Sequence, residues 1–213
     1  MNKCQGTIIR RIPLTESSMI VTWCTKDHGL LKTVAKGARR PKSQFSGKLD
    51  LFYEAEFEII RSKKTDLHNL KEMKILMTRA SIRQSYLKTL SASYFAKMIN
   101  KVSESDSPIN SLYELLYRGL NYLEENEPQL LAIRHYEREM TKILGISNPE
   151  KEPITSISEI CKIPKIRSEI LKLVQKSLKK KNNKISVTYL IIYRQITSDI
   201  DLNRSLDKII LSL

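Results

Sequence analysis

A single change of period constrains the fold of this chain more than any other feature of its sequence. Up to about residue 77 the apolar side chains tend to recur every second position, and from about Thr78 onward they recur every 3.6. The segment Tyr53-Glu54-Ala55-Glu56-Phe57-Glu58-Ile59 alternates apolar with acidic residues, which predicts a strand with one buried face and one wet face. Thr7-Ile8-Ile9, Met19 to Trp23, Leu30 to Val34 and Leu67 to Met73 are further short segments rich in β-branched or apolar residues and separated by turn residues. Lys26-Asp27-His28-Gly29 reads as the hairpin turn between the Trp23 and Leu31 strands, with Gly29 free to take positive φ. Five short strands followed by a helical pattern predict an α+β chain that opens on a small barrel. The oligonucleotide-binding (OB) barrel is the commonest of that size to carry a basic face.

The expected division is therefore a five-stranded OB-fold barrel over residues 1–77 and an all-helical domain over 78–213. A long helix is predicted from Thr78 to Ser103, with Ile82, Tyr86, Leu90, Tyr94, Phe95, Met98 and Val102 on one stripe. Ser107-Pro108 caps and opens a second helix, to Glu125. Glu127-Pro128 opens a third through Leu144, which Gly145 closes. A short helix near Ser156 to Cys161, a basic amphipathic one over Pro164 to Lys180, a helix from Val187 to about Ser198 capped by Ser186, and a last segment from Asp201 to Leu211 complete the chain.

The formal net charge of +14 is unevenly spread: residues 1–80 hold 16 basic and 8 acidic side chains, and residues 161–184 hold 9 and 1. Concentrated positive charge favours a polyanionic partner. The stretch Lys32 to Lys48, KTVAKGARRPKSQFSGK, has six cations and no carboxylate. Its Gly37, Pro41 and Gly47 place the cations on strand ends and loops, where Lys36, Arg39, Arg40 and Lys42 are too closely spaced to pair with local acids. Unpaired cations on a fixed loop gain affinity by releasing counterions from nucleic acid. The competing reading is a solvated surface loop. Trp23, Phe45, Phe52 and Tyr53 are the aromatic residues near enough to stack on bases. The apolar strand around Trp23 favours a core role for it, and Phe45, inside the polar loop Ser43 to Gly47, is either a loop anchor or an exposed stacking group. The second basic block sets Lys165, Lys172, Lys176 and Lys179 on one helical face, opposite Ile166, Ile170, Leu173, Val174 and Leu178. That face is either solvated or a second DNA patch.

Catalytic patterns are lacking. His28, His68 and His135 have no metal-ligand spacing, and neither a phosphate loop nor a nucleophile elbow occurs. Glu124-Glu125, and Glu137 with Glu139, read as solvated or paired with Arg138 and Lys142. Cys4, Cys24 and Cys161 are too few and too far apart for a disulfide framework or a metal knuckle, so buried thiols are expected. No apolar run reaches the ~18 residues of a membrane span, and the start of the chain lacks the layout of a signal peptide. The expected protein is a cytoplasmic binder, not an enzyme, with no cofactor and no metal.

Ile9-Arg10-Arg11, Thr15-Glu16-Ser17-Ser18, Cys24-Thr25 with Gly29, Val34-Ala35-Lys36-Gly37-Ala38-Arg39-Arg40, Lys42-Ser43, Gly47 and Leu49 follow one another in an order and spacing that resembles the bacterial recombination mediator family RecO. The likeness covers about the first 75 residues well and the helical part loosely, through Arg134-His135-Tyr136-Glu137 leading to Leu144-Gly145. The resemblance implies a protein that binds single- and double-stranded DNA, anneals complementary strands and helps load RecA onto strands coated by single-stranded-DNA-binding protein, in association with the nucleoid. The expected DNA contacts are Arg10, Arg11, Lys32, Lys36, Arg39, Arg40, Lys42, Phe45 and Lys48. Its implied partners are RecR and the acidic tail of single-stranded-DNA-binding protein, received in a basic-rimmed apolar pocket to which Arg134 and Tyr136 map; Arg138, four residues from Arg134 on one helix face, and His135 complete the expected peptide contacts. His135 stands where the family has an arginine. Many members carry four zinc-binding cysteines in the region of the loop Ile146 to Ile163; this chain has one cysteine there, Cys161, and so lacks that set. An RNA-binding barrel and a scaffold for acidic proteins are the alternative readings.

Overall fold

The computed structural model describes residues 2–103 and 109–180. The Ser107-Pro108 cap and the helices expected after Ser186 and Asp201 lie outside the described residues. The described residues up to 175 belong to one compact unit.

Five strands, β1 (Asn2–Pro13), β2 (Met19–Thr25), β3 (Gly29–Ala35), β4 (Glu54–Ile60) and β5 (Leu67–Met77), close into a barrel in the order β1-β2-β3-β5-β4. The β3–β5 pair is parallel and the others antiparallel. This is the OB-type barrel that the period-two segments predict, with helices after it. The β2–β3 hairpin turns where expected: Thr25 pairs with Gly29, whose φ is 64°, and Thr25 Oγ1 donates to the Gly29 carbonyl at 2.8 Å. Ile8, Val21, Trp23, Leu31, Phe57, Ile59 and Leu70 fill the interior. Trp23 is fully buried, stacked on Phe57 with ring centroids 4.0 Å apart, and its Nε1 donates to Thr33 Oγ1 at 2.9 Å. It belongs to the core.

Strand β1 is irregular between Ile8 and Arg10, where Ile9 is an extra residue against β2. Such a bulge lets two consecutive side chains point to different cores. Ile8 faces the barrel interior, whereas Ile9 joins Cys24, Leu30 and Phe52 in the core shared with the helices. One side of the barrel's outer surface is thus covered rather than wet.

The helical part comprises α1 (Ala80–Gln84), α2 (Tyr86–Val102), α3 (Asn110–Glu125), α4 (Leu130–Ile143), α5 (Pro153–Ile160) and α6 (Ile166–Lys180). The single helix expected from Thr78 to Ser103 breaks at Ser85, which is extended (φ −121°, ψ 125°) and whose side chain accepts from the Lys88 amide. A serine that satisfies an orphan amide starts a new helix better than it continues an old one. Ile82, Leu90, Tyr94, Phe95 and Met98 are buried as the stripe predicts, but Tyr86 is 65% exposed and donates to Glu169 Oε1 at 2.6 Å. Gly145, at φ 69°, closes α4: its amide donates to the Lys142 carbonyl and that of Ile146 to the Thr141 carbonyl. This is a Schellman ending.

Candidate nucleic-acid interface

Between Ala35 and Glu54 the chain runs through successive tight turns, with the amides of Ala38, Arg40, Ser43, Ser46 and Lys48 each donating to the carbonyl three residues back. Two side chains pin this ribbon to the barrel: Phe45, 3% exposed, and Leu49, both in the barrel core. Gln44 Nε2 adds a bond to the Lys71 carbonyl at 2.8 Å. Phe45 is therefore the loop anchor, and its inclusion among DNA contacts is corrected, because a ring packed inside the barrel offers no face to a base. Trp23, Phe52 and Tyr53 are buried as well.

The anchors hold a polar segment in place, and its cations point outward. Lys36, Arg39, Arg40 and Lys42 are exposed, and none has a carboxylate partner among the described residues. The Arg39 amide donates to the Ser17 carbonyl and its Nη1 to the Thr15 carbonyl, both at 3.0 Å, so the ribbon is tied to the β1–β2 loop. Arg10 is exposed and Lys48 half-buried, again without a carboxylate partner among the described residues. Two other expected contacts are partly spent inside the protein. Lys32 pairs with Asp66 at 2.7 Å and holds that carboxyl below its usual range. Arg11 pairs with Asp50 at 3.1 Å and donates to the Leu49 carbonyl at 2.9 Å, which makes it a clamp on the far end of the ribbon. Arg83 also binds Asp50 and lies over the Tyr53 ring, 4.9 Å from its centroid.

On α4, Arg134 and Arg138 are exposed one turn apart, without a carboxylate partner among the described residues. The nearby glutamates are engaged elsewhere. Glu137, 1% exposed, accepts from Arg167 Nε at 2.6 Å, Arg167 Nη2 at 3.0 Å and Tyr94 OH at 2.6 Å, so its reading as solvated or paired with Arg138 or Lys142 is corrected. Glu139 pairs with Lys142 at 2.8 Å and Glu127 lies 4.0 Å from Lys88. Tyr136 is also corrected: it stacks on Phe95 at 3.9 Å, donates to the Phe95 carbonyl at 3.2 Å and is core. Burial pushes the half-buried His135 below its usual pKa, so at neutral pH it adds no charge beside the two arginines. In the second basic block Lys165, Lys172 and Lys176 are exposed, while Ile170 and Val174 are buried. The Lys179 side chain lies outside the described residues.

One cluster has no local sequence signal. Glu54, expected on a wet face, is 1% exposed and accepts from Thr7 Oγ1 and from Tyr113 OH, the latter at 2.7 Å. Arg79 Nη1 lies 3.7 Å from it, donates to the Phe52 carbonyl at 2.7 Å, and Arg79 Nε donates to Asn121 Oδ1 at 3.0 Å. The cluster joins β1, β4 and α3. Burial, aided by Glu54, pushes the neighbouring Cys24 thiol up to about 12. Among the described residues no group of three or more His, Cys, Asp or Glu side chains could hold a metal ion, and no helix is long and apolar enough to cross a membrane.

The arrangement is a closed barrel bearing unneutralised cations on a fixed loop, backed by helices. Residues 1–79 match the profile described as Recombination protein O N terminal, and residues 83–148 that described as Recombination protein O C terminal. Curated relatives named DNA repair protein RecO include one from Listeria monocytogenes, 32% identical over 68% of this chain and 56% of its own length. Those of Halalkalibacterium halodurans and Syntrophus aciditrophicus are 29% and 28% identical, over 73% and 76% of this chain and 60% and 61% of theirs. The matched part of this chain thus spans less than two thirds of each of these relatives. Barrel, helices and both profile matches together establish that the chain belongs to the RecO family of DNA repair proteins.

Proposed function

We propose that the chain is a recombination mediator that binds single-stranded DNA through its barrel, anneals complementary strands and assists the loading of RecA, making and breaking no covalent bond. The observation that carries this is the set of four exposed cations, Lys36, Arg39, Arg40 and Lys42, that lack carboxylate partners among the described residues and sit on a ribbon anchored by Phe45. Cations held in this way neutralise phosphates on two strands and lower the repulsion that keeps complements apart. In this reading residues 1–77 bind DNA, the helical residues receive protein partners, and the protein works at the nucleoid. RecR and the acidic tail of single-stranded-DNA-binding protein are the proposed partners, with Arg134 and Arg138 rimming the site for the tail. Lys165, Lys172 and Lys176 extend the DNA contacts.

The test is the salt dependence of binding to a single-stranded oligonucleotide, measured by anisotropy, together with annealing of labelled complementary strands. Replacing Lys36, Arg39, Arg40 and Lys42 with alanine should flatten the slope of log affinity against log salt by about 0.7 for each phosphate no longer neutralised, and slow annealing in parallel. An unchanged slope would move the DNA site away from the ribbon.

A further inference from the structure

Where the basic ribbon ends, two guanidiniums share one carboxylate. Asp50 Oδ1 lies 3.1 Å from Nη2 of Arg11, on β1, and Asp50 Oδ2 accepts from Nη1 of Arg83, in the last turn of α1. The three side chains sum to one positive charge. All are open to solvent, Arg11 by 43%, Arg83 by 40% and Asp50 by 26%. An incoming anion can therefore reach both cations.

Each guanidinium also has a hold other than Asp50. Arg11 Nη1 donates to the Leu49 carbonyl at 2.9 Å. Arg83 Nη2 donates to Tyr53 OH at 2.9 Å, and its guanidinium lies over that buried ring. The backbone beside them is fixed as well. Phe52 is left-handed at φ 68°, its amide donates to the Ile8 carbonyl at 2.8 Å, and its carbonyl accepts from Arg79 Nη1 at 2.7 Å. Without the Asp50 charge the two cations would still point at one place, each able to take one oxygen of a phosphate as each now takes one oxygen of the carboxylate. We propose that Arg11 and Arg83 form a site for one backbone phosphate of DNA and that Asp50 occupies it as an internal competitor, so that the protein restrains its own affinity at the seam between barrel and helices.

The position of the pair identifies the source of the phosphate. Lys48, which has no carboxylate partner among the described residues, is two residues from Asp50, so the site continues the ribbon. Exposed ion pairs contribute little, which leaves Asp50 open to displacement. A phosphate that displaces it releases a counterion, but the freed carboxylate takes one back, and the salt-dependent gain is cancelled. This inference rests on the DNA-binding reading above and deepens it: it adds a cation from α1 to the DNA contacts and gives the barrel a built-in brake.

The test is anisotropy with a single-stranded oligonucleotide over a range of salt concentrations. Asp50→Asn removes the charge and keeps an oxygen for the Leu51 amide, which Asp50 Oδ1 accepts at 2.9 Å. It should steepen the slope of log affinity against log salt by about 0.7, one further phosphate contact, and bind about fivefold more tightly at about 0.1 M salt. Asp50→Ser offers a shorter oxygen to the same amide and should show the same gain, which guards against misfolding of either variant. Adding Arg83→Gln to Asp50→Asn should remove the gain. Glu150→Gln, which neutralises an exposed carboxylate between α4 and α5, should not produce it. A native slope in both Asp50 variants, a gain that survives the loss of Arg83, or an equal gain in Glu150→Gln would overturn the site. The gain should persist when chloride is replaced by inorganic phosphate at equal ionic strength; its loss there would assign the pair to free phosphate and overturn the DNA contact. Failure of the native protein and the variants alike to bind the oligonucleotide would instead defeat the DNA-binding reading itself.

Discussion

Glu54 is a carboxylate sealed between a strand and a helix, with Thr7, Tyr113 and the fully buried Arg79 around it. Burial lowers the Arg79 pKa and Glu54 works against that shift. Removing one partner of a buried ion pair strands the other charge, which costs about 3–5 kcal/mol. Glu54→Gln keeps the shape and an acceptor for Tyr113, so it isolates the charge; its cost should fall in that range. Tyr113→Phe removes one hydrogen bond to a charged acceptor and should cost about 1.5–3 kcal/mol. Urea denaturation measures both, and equal losses would show that Arg79 does not depend on the Glu54 charge. The same residue shows what sequence reading can reach. Period-two alternation correctly identifies β4, and it puts Glu54, Glu56 and Glu58 on its outer face; Glu56 is indeed exposed and Glu58 half-buried. Only Glu54 lies where α3 covers that face, and a strand's own pattern holds no information about a helix that packs on it more than fifty residues later. Phe45 is ambiguous in the sequence for a related reason, because a lone aromatic in a polar loop reads the same whether it anchors or stacks.

At the scale of elements, capping and turn chemistry are legible and packing is not. Gly29 completes the β2–β3 turn and Gly145 ends α4 as the local residue types predict, whereas the break at Ser85 passes unseen because its neighbours continue the helical stripe. The role of α4 depends on packing of this kind. Its inner face carries Tyr136 and Glu137 into the core, and its outer face leaves Arg134 and Arg138 unneutralised among the described residues. Two cations at i and i+4 can rim a site for a carboxylate-bearing peptide. Arg134→Glu should abolish binding of a labelled acidic tail peptide and leave affinity for naked DNA nearly intact, because the ribbon is a separate charge cluster. Equal weakening of both in the two binding assays would mean that one surface serves both. Helix α3 packs just as tightly against α4. A Cβ at Gly119 would stand 3.1 Å from Phe95 Cδ2 and 3.2 Å from Tyr136 Cδ2, and the two rings are already stacked and cannot give way easily. Gly119→Ala should therefore lower the melting temperature despite a helix-propensity gain of about 1 kcal/mol, since overpacking costs about 1–3 kcal/mol. An unchanged or raised melting temperature would show that the stack yields.

For the molecule as a whole, the question is whether barrel and helices unfold together. The outward-facing barrel residues Ile9, Cys24, Leu30 and Phe52 share one core with Tyr94, Phe95, Leu116 and Leu120 of α2 and α3. The Glu54–Arg79–Tyr113 cluster crosses the same boundary with buried charge. Separating the two parts would expose that apolar surface, at about 25 cal/mol per Å², and would also break a buried ion pair. Residues 1–175 should accordingly behave as one cooperative unit. Trp23, the only tryptophan of the chain, lies inside the barrel and reports on it alone, while amide hydrogen exchange in α2 and α3 reports on the helices. The free energy of unfolding from Trp23 fluorescence in urea should match that of the slowest-exchanging α2 and α3 amides. Leu30→Ala, a truncation on the barrel's outer face, should lower both by the same amount, about 2–5 kcal/mol. A barrel that keeps its Trp23 signal after the helical amides have exchanged would separate the two parts and would mean that the shared core holds them together only loosely.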